Sequence, residues 1–352
     1  MIGKALLGEG FEIRPATDPE ARAFFDSHPV ASPYHDPVWW NLLALSFGYA
    51  PCVIAQVMNE RIVSALPACV VRPVAGGRRL SALPFSHFVA PLAAEGGSPE
   101  SMLQGLRRAA AALACGTIEL KSPPPATSDF ISQPALLHTM VPVAKDDASQ
   151  LAQMKDSTRQ QTAQGLKHPA LDVAPAKSAA DLRVSHRLIS ETRRRKGSLT
   201  YPRSLFSGLL PWIQSGHALV EVARLDGRAV ATTVTLRRNK TAIYMYGGSL
   251  GDEASLRARP YNVLLFRALR FAREAGADTL DLGTSLQTQT GLVRFKEGLG
   301  GHTMPLHYGS WPRAAGRPEQ DGQIARLAGA ILSRLPLPVF ELVTPLLMRQ
   351  VG

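Results

Sequence analysis

Arg257-Ala258-Arg259-Pro260-Tyr261-Asn262 opens a run that continues to Arg273, turns at Glu274-Ala275-Gly276-Ala277, and leads to Thr279-Leu280-Asp281-Leu282-Gly283 and then Gly291-Leu292-Val293-Arg294-Phe295-Lys296. Val263, Leu264, Phe266, Leu269, Phe271 and Ala272 recur at helical spacing, leaving Arg267, Arg270 and Arg273 for a wetter face. Pro260 suits the first turn of that helix, where its missing N–H is harmless, and Gly276 suits the left-handed position just past its end. Thr279 to Gly283 is too short for a second helix and reads as a strand whose exit carries the Asp281 carboxylate. A helix running straight into a strand predicts an α/β crossover. Gly283 and Gly291 would let backbone approach a ligand closely, and Phe295-Lys296 reads as a fixed aromatic beside a mobile cation.

Working outward, the order of elements occurs twice. In the first half a turn at Asn59-Glu60 leads to a strand over 62–71, a turn at Gly76-Gly77 to a strand over 80–88, a helix from about Pro99 to Ala114, and Gly116-Thr117-Ile118-Glu119-Leu120. In the second, Asp226-Gly227 leads to a strand over 229–236, Asn239-Lys240 to one over 242–247, then the helix ending at Gly276 and Thr279-Leu280-Asp281-Leu282. Two tandem copies of one α/β unit, each a hairpin followed by a crossover helix, explain this pattern. Before the first copy come a strand around Phe11–Arg14, a helix begun by Asp18-Pro19-Glu20, and Ser32-Pro33-Tyr34-His35-Asp36-Pro37 introducing Trp39-Trp40 and a helix through Phe47. Between the copies, 146–175 is polar and basic, and a helix from about Ser178 to Arg195 ends in Arg193-Arg194-Arg195-Lys196-Gly197.

Asn262, the helix to Gly276, Asp281-Leu282-Gly283, Gly291-Leu292, Phe295-Lys296 and Pro305-Leu306-His307-Tyr308 together resemble the FemAB family of aminoacyl transferases within the GNAT superfamily. The Arg/Lys-Gly element leading to Tyr201-Pro202 and the segment around Tyr34 are also similar to that family. The resemblance implies an α/β (α+β) protein of two GNAT-like domains, each a mixed central sheet flanked by helices, with a cleft between or beside them. The expected boundaries are 1–150 for an acceptor-binding or structural domain, 151–318 for a donor-binding, catalytic domain and 319–352 for a helical tail. It further implies N-acyl or aminoacyl transfer to an amine of a cell-envelope precursor, in peptidoglycan or exopolysaccharide assembly, with acyl-CoA or aminoacyl-tRNA as co-substrate. Two other readings stay open: acetyl-CoA-dependent acetylation of a small or carrier-linked amine, and a non-catalytic binding protein that retains the twin fold.

Composition bounds these readings. The chain has 352 residues, long enough for two cores, and a net charge of +11. Residues 1–150 hold 11 Lys/Arg against 13 Asp/Glu, so residues 151–352 hold 28 against 15 and carry all of the excess. An anionic partner is expected there. Cys52, Cys69 and Cys115 lie far apart in apolar contexts, without metal-ligand spacing, so buried thiols and no metal are expected. The first ten residues lack the apolar core of a signal peptide, and the expectation is a cytoplasmic protein. The tail from Gln323 is apolar but broken by Arg334, Pro336, Pro338, Glu341 and Pro345. It is too interrupted for a membrane span; its leucines cover the second domain's core or make peripheral contact with the inner membrane.

The sequence has no Gly-x-Ser-x-Gly elbow, no Walker loop and no zinc motif. Acyl transfer to an amine needs less: a positioned donor, an oriented amine, and stabilisation of the charge developing on the carbonyl oxygen. By the resemblance, Lys296 in its Phe-Lys motif interacts with the donor. Asp281 is a candidate to orient the amine or take its proton, Tyr246 to supply a hydroxyl, and Asn262 to bond the donor or cap its helix. Arg257 and Arg259 stand where many acetyl-CoA enzymes carry a glycine-rich phosphate loop, here without glycine, and are candidates to hold phosphate. Tyr34 and His87 are candidates for the acceptor pocket, and Arg195 and Lys196 for binding an anionic substrate group.

Overall fold

The computed structural model describes residues 2–73, 77–126, 128–312 and 323–351. The expected turn at Gly76 and the expected 318/319 boundary lie outside them. In chain order the strands are β1 (Ala5–Gly8), β2 (Phe11–Pro15), β3 (Ala50–Met58), β4 (Arg61–Val71), β5 (Arg79–Ser81), β6 (Leu92–Ala93), β7 (Thr117–Leu120), β8 (Ile131–Ser132), β9 (Leu136–Pro142), β10 (Leu171–Pro175), β11 (Ala218–Leu225), β12 (Arg228–Arg238), β13 (Thr241–Ser249), β14 (Thr279–Ser285), β15 (His302–Leu306) and β16 (Gly309–Trp311). The helices are α1 (Pro19–Ser27), α2 (Pro37–Phe47), α3 (Ser101–Ala112), α4 (Asp147–Gln153), α5 (Asp156–Leu166), α6 (Ala179–Arg195), α7 (Arg203–Ser207), α8 (Leu210–Gln214), α9 (Glu253–Arg257), α10 (Pro260–Glu274), α11 (Thr290–Gly298), α12 (Gln323–Arg334) and α13 (Leu337–Val351).

The chain divides into two compact units. Unit 1 is Met1–Leu136 with Leu306–Glu319 and Met348–Gly352; unit 2 is Leu137–Pro305 with Gln320–Leu347. The boundaries expected at 150 and 318 are linear along the chain, whereas the units are not, because strands from distant parts of the sequence complete each sheet.

In unit 1 the strand order is β1-β2-β3-β4-β5-β7-β16-β8, with β6 also on β4. Neighbours from β1 to β5 are antiparallel, and β5 pairs parallel with β7 across the crossover helix α3. The Asp-Pro pairs start helices as expected: Asp18 accepts from the Ala21 N–H ahead of α1, and Asp36 from the Val38 N–H ahead of α2. Trp39 and Trp40 are wholly buried, their indole N–H groups donating to Ser86 Oγ at 3.2 Å and to the Tyr34 carbonyl at 2.9 Å. The strand expected over 80–88 ends at Ser81, because Leu83 and Phe85 take positive φ around Pro84 and leave the ladder. β1, ahead of the first expected strand, was not foreseen.

In unit 2 the order is β10-β11-β12-β13-β14-β9-β15. β10 to β13 form an antiparallel meander, α10 crosses over, and β14 lies parallel to β13. The plan of unit 1 is thus repeated, in two sheets rather than one doubly wound sheet, which is the tandem GNAT-like arrangement expected. The polar segment 146–175 holds α4, α5 and β10. The arginines of α10 are not simply wet: Arg267 donates to the buried Glu221 at 2.5 Å, and Arg270 and Arg273 both reach Asp147 of α4. Beneath them Phe266, Leu265, Leu269 and Ala272 pack with Leu280 and Leu282 of β14 and Val141 of β9.

β13 also meets α6 closely. A Cβ on Gly248 would fall 2.5 Å from the Leu188 carbonyl oxygen and 2.6 Å from the Ile189 nitrogen, both backbone atoms that cannot swing aside. Gly248→Ala is expected to cost about 2 kcal/mol in urea unfolding; an unchanged midpoint would disprove the close packing of α6 on β13.

Candidate functional site

The site is built where two parallel strands part. β13 and β14 are paired only through Thr241–Thr279, Ala242–Leu280 and Ile243–Asp281, although both strands run further. An irregularity sits on each at that point. β13 bulges at Met245, between the pairs Thr235–Tyr244 and Val234–Tyr246, and the β14–β9 register shifts between Asp281 and Thr284, where Gly283 has φ +68°. A bulge adds twist and turns the strand away from its neighbour, so the two C-terminal ends diverge.

Lys296, on α11, lies beside this parting. It is only 5% exposed, and its Nζ donates to the Gly283 carbonyl at 3.0 Å, the Thr284 carbonyl at 3.3 Å and Ser285 Oγ at 2.9 Å. An ammonium has three protons and all three are engaged, so the mobile cation expected from the sequence is instead pinned to the end of β14. Burial pushes its pKa down to about 8, against the opposing pull of Asp281.

Asp281 lies within β14 rather than at its exit. It is buried, and its Oδ1 accepts from the Gly283 N–H at 2.6 Å and bonds His138 Nε2 at 2.8 Å. A carboxylate can only accept, so Nε2 carries the proton of that bond. His138 comes from β9, 143 residues away in sequence, and nothing in the sequence reading pointed to it. The only available signal was a polar residue in the apolar run 136–143.

The start of α10 joins the same neighbourhood. The β13 and β14 strands are parallel, so α10 begins at the end where they diverge. Tyr261 donates to or accepts from Tyr244 across 2.5 Å, and the two hydroxyls occupy the space a Cβ on Gly247 would take. Burial pushes the Tyr244 phenol up to about 12. The Tyr261 ring is 6.4 Å from that of Phe295, which precedes Lys296. No side chain caps α10, and its N-cap, Arg259, has φ 56° and ψ 37°. The left-handed geometry that a glycine-rich loop would supply is here adopted by an arginine. Arg259 Nε and Asn262 Nδ2 are buried and have no hydrogen-bond partner among the described residues, and Asn262 is 5% exposed. Uncapped N–H groups with two buried unsatisfied donors are what an anion needs.

Other expected residues lie elsewhere. Arg257 is exposed and paired with Glu253 on the same short helix. The bulge carries Tyr246 against Tyr201 and Phe206, with ring centroids 4.3 and 5.9 Å away. Arg195 donates to the carbonyls of Leu250 at 2.5 Å and Ser249 at 3.1 Å, and Lys196 ends α6. Tyr34 and His87 belong to unit 1, where their rings meet edge to face at 5.9 Å and the His87 carbonyl accepts from Tyr308.

Residues 152–297 match the model of the acetyltransferase (GNAT) domain. Among solved structures the chain is similar to FemX, at 15% identity and a TM-score of 0.63 over 82% of this chain and 94% of that one. It is also similar to a tandem GNAT protein from the clavulanic acid biosynthesis pathway, at 14% identity and a TM-score of 0.53 over 85% and 98%. A third is the C-terminal domain of a putative lysylphosphatidylglycerol synthetase from Agrobacterium fabrum, at 14% identity and 0.50 over 84% and 90%. At such identities the likeness is one of fold. No curated protein sequence matches the chain. Residues 152–297 are a GNAT acetyltransferase-type domain, which makes the chain an acyltransferase by class. The FemAB-like tandem GNAT fold expected from the sequence is the fold it has.

Proposed function

We propose that unit 2 transfers an acyl or aminoacyl group from a thioester or ester donor to an amine of a cell-envelope precursor, in peptidoglycan or exopolysaccharide assembly. The observation that carries the transfer is the parting of β13 and β14 with Lys296, Asp281 and His138 gathered beside it. In this reading the donor carbonyl lies between the diverging strands, and its phosphates meet the N-terminus of α10. The amine nitrogen attacks the carbonyl carbon. A C–N bond forms, the C–S bond of a coenzyme A thioester or the C–O bond of a charged tRNA breaks, and the leaving sulfur or oxygen departs with a proton. The proton lost by the amine passes to the Asp281–His138 pair, while the Lys296 ammonium supplies positive potential to the developing oxyanion. The envelope assignment is supported by the fold likeness to FemX together with the Phe295-Lys296 and Asp281-Leu282-Gly283 resemblance.

A thermal-shift screen of acyl-CoAs, charged tRNA and nucleotide-linked sugars tests donor and acceptor separately, since a ligand that binds only the folded protein raises its melting temperature. Mass spectrometry then reads acyl transfer to the amines that register. No stabilisation by any acyl donor would sink the assignment and favour a binding protein. Within the reading, Arg259→Ala is expected to weaken donor binding by about tenfold and to flatten its salt dependence, whereas Arg257→Ala leaves it within about twofold. Equal losses at both positions would remove the phosphate site from the start of α10.

A further inference from the structure

Helices α12 and α13 turn an aliphatic face outward. Within unit 2, Leu327 and Ile331 of α12 and Val339, Leu342, Val343, Leu346 and Leu347 of α13 are exposed, Leu342 by 73%. The α13 residues follow i, i+3, i+4, i+7 and i+8, one continuous stripe, while Phe340 and Thr344 point inward and are wholly buried. The inner side is therefore already satisfied, and the outer stripe is surplus to the core of unit 2. Solvent exposure of so much contiguous aliphatic surface marks a contact site.

The rim of that face is cationic. Arg194 donates to the carbonyls of Ser333 at 3.3 Å and Leu335 at 3.2 Å, at the junction of the two helices. Gly197, with φ +64°, abuts Gly329 so closely that a Cβ would fall 2.6 Å from its carbonyl oxygen. The Thr200 N–H donates to Thr344 Oγ1 at 3.2 Å, and Arg203 pairs with Glu341 at 2.5 Å. The segment 193–203, which carries Arg193, Arg194, Arg195, Lys196 and Arg203, thus meets both helices through Arg194, Gly197, Thr200 and Arg203, and Arg334 ends α12. Against these cations the two stretches 193–203 and 327–347 hold a single carboxylate, Glu341. The bonds of Arg194 go to backbone carbonyls, which hold its guanidinium in place without neutralising it.

We infer that this face is a docking surface for an anionic lipid bilayer, going beyond acyl transfer to state where unit 2 works. An aliphatic stripe with a basic rim is the pattern of a helix that lies in the headgroup region, its apolar side in the acyl boundary and its cations on anionic headgroups. Spanning is a different matter: no helix among the described residues is long and apolar enough to cross a membrane. A second copy of the chain is a poor occupant, because symmetric pairing would set one cationic rim against another. A protein partner fits less well, since the exposed face is wholly aliphatic and protein interfaces draw on aromatic anchors.

The test is co-sedimentation of the full chain with phosphatidylcholine vesicles, alone and with about one part in four phosphatidylglycerol. The expected result is at least about tenfold stronger binding to the anionic vesicles, weakened by salt. Leu342→Glu with Leu346→Glu is expected to reduce that binding by more than about tenfold with circular dichroism unchanged, since both side chains already face solvent. Arg334→Glu, which leaves the apolar stripe intact, is expected to reduce it by about fivefold. Equal binding to both vesicles, or undiminished binding of the double variant, would overturn the inference. So would a dimer in sedimentation velocity that the double variant abolishes.

Discussion

Lys296→Ala is expected to lower single-turnover acyl transfer by on the order of 100-fold while leaving acceptor binding nearly unchanged. The reason is electrostatic: a buried ammonium, already oriented by three acceptors, costs no reorganisation when charge develops on the donor carbonyl. Because the same three bonds pin the end of β14, alanine also strips the Gly283 and Thr284 carbonyls and Ser285 Oγ of their donor. Lys296→Met keeps most of the buried volume while removing the ammonium, its charge and its three donated bonds together, and so separates lost packing from the lost ammonium. A rate loss shared by alanine and methionine belongs to the ammonium, its charge and its bonds to β14, and one confined to alanine belongs to packing. Arginine is expected to restore little, its planar fork being too large for an ammonium's place. The pH dependence is a second readout. With a pKa of about 8, Lys296 loses its charge as pH rises through that value, so wild-type turnover falls there and the methionine variant shows no such limb. Stability moves the opposite way: between about 8 and the ordinary lysine value of 10.5 the unfolded chain binds the extra proton, so the folded protein gains stability as pH rises across that window. Rates equal to wild type in the methionine variant would leave Lys296 without a part in the transfer step and shift the preference toward the binding-protein reading.

How far this site can be read in the sequence depends on how local its causes are. Helix α10 was legible to within two residues because Pro260 and the turn at Gly276 act through their own backbones. The twin plan was legible because turns such as Asn59-Glu60 and Asp226-Gly227 recur in matching places. β9 was not, since a strand's partners are chosen by a sheet completed far away in sequence, and His138 was lost with it. α5 was hidden because what it buries is Thr158, Thr162 and Gly165 rather than large apolar residues, so no hydrophobic period marks it. The burial of Lys296 has no sequence signature, because lysine is ordinarily a surface residue and only the carbonyls of β14 make its interior place tolerable. The place of Tyr246 was not legible for a geometric reason: one extra residue at Met245 breaks the two-residue alternation, and the ring lies against Tyr201.

The second large effect is expected at the Asp281–His138 pair. If the pair takes the amine's proton, Asp281→Asn should lower turnover by on the order of 100-fold or more, the range in which positioned general bases act. Asparagine keeps the shape and can still accept the Gly283 N–H, but an amide no longer holds the His138 ring as a carboxylate does, nor stabilises it when protonated. His138→Gln preserves a hydrogen-bonding group toward Asp281 while removing the imidazole. A loss of turnover in both variants, with donor affinity unchanged in the thermal-shift assay, places the pair in the transfer step. The double variant distinguishes a working unit from two separate contributions: residues acting as a unit give a loss close to that of either single change, and independent residues give the product of the two. A glutamine variant with the wild-type rate would leave the pair as a tie between β9 and β14. The proton would then need another acceptor, and the case for chemistry at this point of the sheet would rest on Lys296 alone.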